Sequence, residues 1–256
     1  MATALRCLTI LALIALLALF LTPTLHAARP QSSAADMTLW NAANRDRAAA
    51  GLPALQWDPA LAAAARQHAL RMARMNKLSH QLPGEPALQD RARQAGARFS
   101  VIAENVAEGP SVTGLHTQWM NSPPHRANLL DPELNCVGIS VVQAGNMFFA
   151  VEDFSAAVPA LTRNAQEQQV ASQLAAHGLR VASSTADARK TCELDRGWAG
   201  RKPASVLRYE TADLTRLPDE IEPKVASGKY RSAAVGACDA GGSADFARFR
   251  IAILLF

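Results

Sequence analysis

The strongest constraint on the fold is an apolar hairpin pattern that follows a series of helical segments. Residues 136–142 alternate between two faces, and a second apolar stretch covers 147–154. The Ala-Gly-Asn sequence at 144–146 is typical of the tight turn that joins antiparallel strands. A further short extended segment is predicted at 101–107. Helices followed by an antiparallel hairpin favour an α+β fold, built as an α-β-α layered domain.

Predicted helices occupy most of the chain before this hairpin. Asp58 followed by Pro59 is a strong helix start, because an acidic cap precedes a proline in the first turn. Asp36 is predicted to cap the first helix, Ser111 a later one, and Ser122 a turn that restarts at Pro123. The predicted helical ranges are 36–50, 59–76, 87–95, a segment from 112 that includes Trp119, and 123–130.

A second pattern begins after a predicted linker at 156–163. Residues 164–256 suit a small α+β domain, with helices at 164–177 and 218–226. Strands are predicted at 205–210, 230–238 and 246–256, the last two around an Ala-Gly-Gly turn. This strand-turn-strand ending is similar to the hairpin at 136–154. Apolar hairpins resemble one another, however, so the similarity by itself does not establish a duplication.

The first 27 residues have the pattern of a secretory signal. Arg6 precedes an unbroken apolar run over 10–21, and Ala27 ends a small-residue cleavage site. The run is short for a membrane span, although an uncleaved anchor is the alternative. We therefore expect an exported protein, periplasmic or extracellular, with no transmembrane segment in the mature chain.

The cysteines fit an exported protein with one disulfide. Removal of the signal leaves three cysteines, and export favours their oxidation. Cys192 and Cys238 both lie in the last third of the chain and are predicted to pair. Cys136 opens an apolar strand and is predicted to be a small buried hydrophobic residue. The sequence has no Cys-x-x-Cys pair, which argues against a thiol redox site or a thiolate zinc site.

Charge and motifs exclude several functional classes. The formal net charge is +4, without a cluster of lysine and arginine, so nucleic acid is not an expected partner. The sequence contains no Gly-x-Ser-x-Gly elbow, His-Glu-x-x-His helix, phosphate-binding glycine loop or dinucleotide fingerprint.

An ordered set of short motifs resembles one known family. They are Asn44-Arg45 before Gly51-Leu52, the helix with Leu61, Ala65, His68 and Met72, Ser79-His80, Ala103-Glu104-Asn105-Val106-Ala107, Trp119 through Leu130 with Ser122-Pro123-Pro124-His125-Arg126, Gly138-Ile139 and Glu152-Asp153-Phe154. Their succession over residues 36–155 is similar to the bacterial branch of the CAP superfamily (cysteine-rich secretory proteins, antigen 5 and pathogenesis-related proteins).

The resemblance implies an α-β-α sandwich whose cleft carries two histidines and two glutamates. His80 and His125 match the histidines, which can hold a divalent metal, and Glu104 matches the glutamate of the Glu-Asn motif. Ser122 stands near the place of the second glutamate, so this chain departs from the full set. That departure weakens any mechanism that needs two carboxylates.

The chemistry of these residues leaves two interpretations open. Two imidazoles and one carboxylate could fill the three protein positions of a catalytic zinc site. If Glu104 acts only through water, two ligands remain, and zinc or another divalent metal should bind weakly. Glu104 could alternatively orient a histidine by accepting its other ring proton. The alternative is a hydrogen-bonded polar network without a ligand. Ser122, His68 and His116 are predicted to lie behind the cleft or at its rim, and the two histidines are expected to pack there.

Three functions are compatible with these features. The favoured hypothesis is an exported binding module that holds a divalent metal, a small apolar or lipid ligand, or an envelope component. The second is a metal-assisted, peptidase-like hydrolase whose substrate is envelope material. In it, Glu104 acts as the base on the metal-bound water. The third is an interaction protein that docks through its C-terminal domain. Glu152 and Asp153, as strand neighbours, should face opposite sides of the sheet and so not form an acid pair.

Overall fold

The computed structural model describes residues 32–240 and 246–256. The first part contains α1 (Ala34–Ala49), β1 (Gln56–Trp57), α2 (Pro59–Met75), α3 (Leu88–Gln94), β2 (Phe99–Gly109), α4 (Val112–Asn121), α5 (Pro123–Leu129), β3 (Cys136–Ala144) and β4 (Met147–Ala157). The second contains α6 (Arg163–Ala176), β5 (Arg180–Val181), α7 (Ala186–Glu193), β6 (Ser205–Thr211), α8 (Glu222–Val225), β7 (Ser232–Cys238) and β8 (Phe249–Leu255). The mixture of helices and sheets confirms the predicted α+β class.

Strands β1–β4 form a first sheet in the order β1-β3-β4-β2. Strand β1 pairs in parallel with β3, and the other neighbours are antiparallel. Over most of its length, β3 has apolar residues on one face and small residues on the other. Helices can therefore pack against both faces of the sheet. Val137 and Ile139 pack in one apolar cluster with Leu39 and Trp119. Gly138, on the opposite face, lies against α2, where an added Cβ would come within 2.0 Å of a backbone nitrogen.

The caps of the first two helices show where local sequence is informative. Asp58 accepts hydrogen bonds from Ala60 and Leu61, as predicted for a cap followed by Pro59. The predicted cap of α1 is wrong, since Ser33 caps the helix and Asp36 is the third residue of its capping box. A carboxyl oxygen of Asp36 also accepts from the Val141 amide at 2.8 Å. Val141 lies beyond the two residues of β3 that pair with β1.

Strands β5–β8 form a second sheet with the same plan. Its order is β5-β7-β8-β6, the first pair is parallel and the other pairs are antiparallel. Helix α7 was not predicted, because the polar segment 186–193 has only short apolar spacing. The helix predicted at 218–226 is confined to Glu222–Val225, with Pro223 in its first turn. The predicted Ala-Gly-Gly turn overlaps residues 241–245, which lie outside the described residues.

A disulfide joins α7 to β7. The Cys192 and Cys238 sulfur atoms are 2.02 Å apart and their Cα atoms 5.8 Å apart, which confirms the predicted pairing. Cys136 is a free cysteine and only half-buried, where complete burial was expected. Burial, followed by the nearby Asp58 charge, raises the pKa of the Cys136 thiol.

The predicted secretory signal at 1–27 lies outside the described residues. In the part of the chain that the structure describes, no helix is both long and apolar enough to cross a bilayer. Within the predicted linker at 156–163, strand β4 continues to Ala157 and α6 begins at Arg163. Residues 158–162 therefore join the two elements.

Candidate functional site

The candidate site lies along β2, one of the two edge strands of the first sheet. Successive side chains of a strand point to opposite faces, so Glu104 and Asn105 serve the two sides of the sheet. Glu104 contacts the loop between α2 and α3, whereas the side chain of Asn105 contacts α5. The strand therefore brings together segments from both faces near its free edge.

Glu104 is the centre of the predicted trio. Its carboxylate is almost fully buried, and one oxygen lies 2.9 Å from Nδ1 of His80. The other oxygen accepts from the guanidinium of Arg91, which is also buried. Both carboxylate oxygens are thus engaged by cationic or hydrogen-bonding groups of the protein itself.

His80 is held on one side and exposed on the other. Its side chain is 60% exposed although Nδ1 contacts buried Glu104. The hydrogen bond to Glu104 is the main reason that the pKa of His80 is raised, and burial and Arg91 oppose it. Within the described residues, its Nε2 has no hydrogen-bond partner, which leaves this nitrogen to solvent or a ligand.

His125 approaches the same place from α5. Its Nδ1 lies 2.8 Å from Oγ of Ser122, and Asn105 donates to its backbone oxygen at 3.1 Å. Burial, and then the charge of His80, lowers the pKa of His125. The electrostatic coupling to His80 and the link through Asn105 place the three predicted residues in one region.

Ser122 occupies the predicted N-cap position of α5, but the predicted side-chain hydrogen bond to a backbone N–H is absent. No side-chain hydrogen bond caps α5, and the Ser122 hydroxyl is instead the partner of the His125 ring. Ser122 therefore orients the imidazole, which is a contribution to the cleft that the local helix pattern did not reveal.

The remaining two predicted histidines occupy separate places. His68 is fully buried in α2, with hydrogen bonds to Glu85 and to the Ser79 carbonyl, in agreement with its predicted packed role. His116 forms a 2.6 Å contact with Asp46 of α1. Among the described residues, no hydrogen bond or ion pair joins it to His80 or His125. His116 therefore contributes to the contact between α1 and α4.

Two buried acids lie beneath the cleft, on opposite faces of β4 as expected for neighbours. Asp153 is the register partner of Glu104, and neither of its carboxyl oxygens has a hydrogen-bond partner in the described part of the chain. Burial, and then the charge of Glu104, raises the pKa of Asp153 well above its ordinary value. Burial likewise raises the pKa of Glu152 to about 8, against a hydrogen bond from Asn105.

Several residues of this cluster were missed by sequence reasoning. Arg91 and Glu85 come from a polar helix and a Pro/Gly loop that gave no spacing signal. Asn128, three residues after His125 on α5, donates to the Glu104 carbonyl and to Asn105. That helical spacing was the one available indication. Over residues 32–240 and 246–256, no group of three or more His, Cys, Asp or Glu side chains is arranged to hold a metal ion.

Known proteins are similar to the part of the chain that carries this site. Residues 40–154 match the model of the cysteine-rich secretory protein family, called CAP. A curated relative, YkwD of Bacillus subtilis, is 30% identical over 128 residues, which are half of this chain and half of the relative. These matches support the predicted bacterial CAP superfamily domain over residues 40–154.

Two solved structures are similar over the same half. An SCP-domain extracellular protein of Bacillus anthracis is 30% identical with a TM-score of 0.44, over 47% of this chain and 40% of that one. An outer surface protein of Borrelia burgdorferi is 22% identical with a TM-score of 0.46, over 50% of this chain and 96% of that one.

Proposed function

We propose that this protein is an exported binding module whose cleft holds a divalent metal, with zinc as the test ion, through His80 and His125. The observation that carries the proposal is the state of the two rings. Each has its Nδ1 engaged by a neighbouring side chain, at 2.9 Å for His80 and 2.8 Å for His125. Such contacts fix the orientation of an imidazole and direct its Nε2 outward, as in metal sites whose histidines are supported by a second group.

The donor set suits weak binding. A catalytic zinc site has three protein ligands and a structural site four, whereas two ring nitrogens are available here. Glu104 does not supply the third ligand in this arrangement, because its oxygens contact His80 and Arg91. Water or an external ligand group would complete the coordination, so affinity should be low and the position open to a partner molecule.

The same engagement of Glu104 favours binding over turnover. A general base needs a free oxygen within reach of the proton that it removes. In the cleft, the Glu104 carboxylate is shared between a cation and an imidazole, and Asp153 and Glu152 are fully buried within the sheet on β4. The metal-assisted hydrolase therefore stays the less supported function.

Export is part of the proposal. The N-terminal segment has the composition of a secretory signal, and the disulfide between Cys192 and Cys238 is of the kind that persists in oxidising compartments. We therefore place the mature protein in the periplasm or outside the cell.

The test is a zinc titration of the mature protein by calorimetry. The double variant His80→Ala/His125→Ala should weaken zinc binding at least tenfold. His177→Ala is the matched control, since that histidine lies in the second sheet region and contacts Glu222 at 3.9 Å. Equal zinc affinity in the double variant and the wild type would overturn the metal proposal.

The same preparations separate binding from catalysis. Casein and peptidoglycan should be left intact by both the wild type and the double variant. Hydrolysis by the wild type that the double variant lacks would support the hydrolase instead. A lipid that copurifies with the wild-type protein, without zinc, would favour the apolar-ligand form of the binding hypothesis.

A further inference from the structure

The loop that carries His80 is organised by groups buried behind it. It covers residues 76–87, between α2 and α3. Two cationic or hydrogen-bonding side chains, His68 and Arg91, reach into it from these helices. Arg91 donates to the backbone oxygens of His80 and Pro86 at 3.2 and 3.3 Å. His68 makes the second set of contacts, and the cleft proposal does not use it.

His68 bridges a buried acid and the residue before His80. Its Nδ1 lies 2.9 Å from both carboxyl oxygens of Glu85, and its Nε2 lies 2.8 Å from the Ser79 carbonyl oxygen. A carbonyl can only accept, so Nε2 must donate to it. Nδ1 faces the Glu85 carboxyl group, so the two side chains form a buried hydrogen-bonded pair.

Glu85 fixes the other end of the loop. One of its carboxyl oxygens accepts from the Leu82 amide at 3.1 Å, and its backbone oxygen accepts from Gln81 at 3.0 Å. The Leu82 side chain is buried in the cluster that α2 packs against the sheet. The loop is therefore tied to α2 at two points that flank His80.

The hydrogen bonds of His68 and Glu85 lie directly behind the residues of the cleft. His68 is fully buried and Glu85 nearly so, and the Nε2 of His68 lies 3.9 Å from the nearer carboxyl oxygen of Glu104. The bond to Ser79 is one peptide away from His80, whose ring must reach Glu104 to be oriented. A burial role alone would need an apolar side chain at position 68, not a hydrogen-bonded imidazole.

We propose that the buried His68–Glu85 pair is the positioning device of the cleft: it holds the Ser79 carbonyl so that His80 stays in contact with Glu104. This inference rests on the proposed function for its ligand readout. His68 and Glu85 are positioning residues and not ligands. Breaking the pair should release the loop and disorder the His80 ring, while the sheet itself stays folded.

The first test is His68→Leu, read by amide hydrogen exchange and zinc titration. We expect faster exchange in residues 79–86, unchanged exchange in β3, and at least tenfold weaker zinc binding. His116→Leu is the matched control, because it removes a histidine–carboxylate contact that lies elsewhere. A folded His68→Leu protein with wild-type exchange in the loop would overturn the proposal.

Two further variants keep the test decisive. If His68→Leu does not fold, Glu85→Ala serves in its place, because it removes the pair from the loop side. It should give the faster exchange in residues 79–86 that is expected for His68→Leu. Glu85→Gln should keep wild-type loop protection, since its amide can donate to Nδ1 while the ring still donates to Ser79. Loss of protection in Glu85→Gln equal to that in Glu85→Ala would contradict positioning by these hydrogen bonds.

The two proposals fail separately. If the wild type binds no zinc, the metal proposal is lost, and loop exchange alone decides the positioning role. If zinc binds through His80 and His125 but His68→Leu leaves affinity within twofold of wild type, the positioning role is lost and the metal site stands.

Discussion

The two sheets of this protein have one strand plan but different side chains at corresponding positions of their central strands. In each, a glycine of the third strand lies against the backbone of a helix, Gly138 on α2 and Gly236 on α7. The strand positions beside these glycines differ. Gly138 is in register with Asp153 and through it with Glu104, whereas Gly236 is in register with Ala252 and through it with Arg208.

Helix and sheet are also joined differently in the two regions. Gly236 meets α7 at Ala188, and Cys192 lies four residues after Ala188, whereas Cys238 lies two residues after Gly236. Counted in the same way from Leu61 and Gly138, the first sheet has Ala65 and Ser140 at these places. The second sheet thus has a covalent link where the first has small side chains. The same framework carries Glu104 and the cleft in one sheet and Arg208 and a disulfide in the other, which indicates that the strand plan does not determine the site.

The largest expected effect comes from the disulfide. Cys192→Ala/Cys238→Ala should lower the free energy of unfolding by about 4 kcal/mol for a loop of this length, because the unfolded chain regains entropy. Denaturant unfolding followed by circular dichroism measures the change. Zinc binding in the first sheet should be unchanged, and a matching loss of zinc affinity would show that the two regions are not independent.

The glycine contacts should be comparably sensitive in both sheets. Gly138→Ala and Gly236→Ala should each lower the free energy of unfolding by about 3 kcal/mol, since a Cβ would enter helix backbone. Gly145→Ala is the control, with open space around its Cβ but φ of 62°, and should cost about 1 kcal/mol. If Gly236→Ala left the free energy of unfolding unchanged, the two glycine contacts would not be equivalent.

The buried acid of the first sheet should make stability depend on pH. The folded pKa of Glu152 is raised to about 8, so the folded protein holds a proton that the unfolded chain has lost, and stability falls as pH rises from 4.5. Glu152→Gln keeps the shape without the charge and should stabilise the protein by about 3 kcal/mol at pH 7. Below pH 4 the two proteins should unfold alike in denaturant titrations, and a gain that is the same at pH 4 and pH 7 would contradict this account.

The smallest effect concerns the surface of the second sheet region. Arg163→Gln removes an ion pair with Asp239 at 2.9 Å, in which both side chains are largely exposed. Exposed pairs contribute little, so the free energy of unfolding should change by less than about 0.5 kcal/mol in thermal denaturation. A loss above about 1 kcal/mol would mean that this contact is more than a solvated pair.

The sequence by itself determined the elements with strong local signals. The cap at Asp58, the alternation of β3, the turn before Met147 and the sulfur pair at 192 and 238 follow from residue type and spacing. Local signals also produced the errors, since Asp36 looks like a cap and Ser122 looks like another. In both, the side chain has a partner that the helix pattern does not show, the distant Val141 amide for Asp36 and the His125 ring for Ser122.

Only the tertiary structure decided how the cleft is assembled and that the tail repeats the strand plan. Glu85, Arg91 and Asp153 join the site through contacts that register and loop closure create, and no spacing along the chain encodes them. The second sheet likewise shares its order with the first without sharing the charged residues. Hydrophobic alternation fixes which residues are inside, but the partners of buried polar groups are set by the three-dimensional arrangement that must satisfy them.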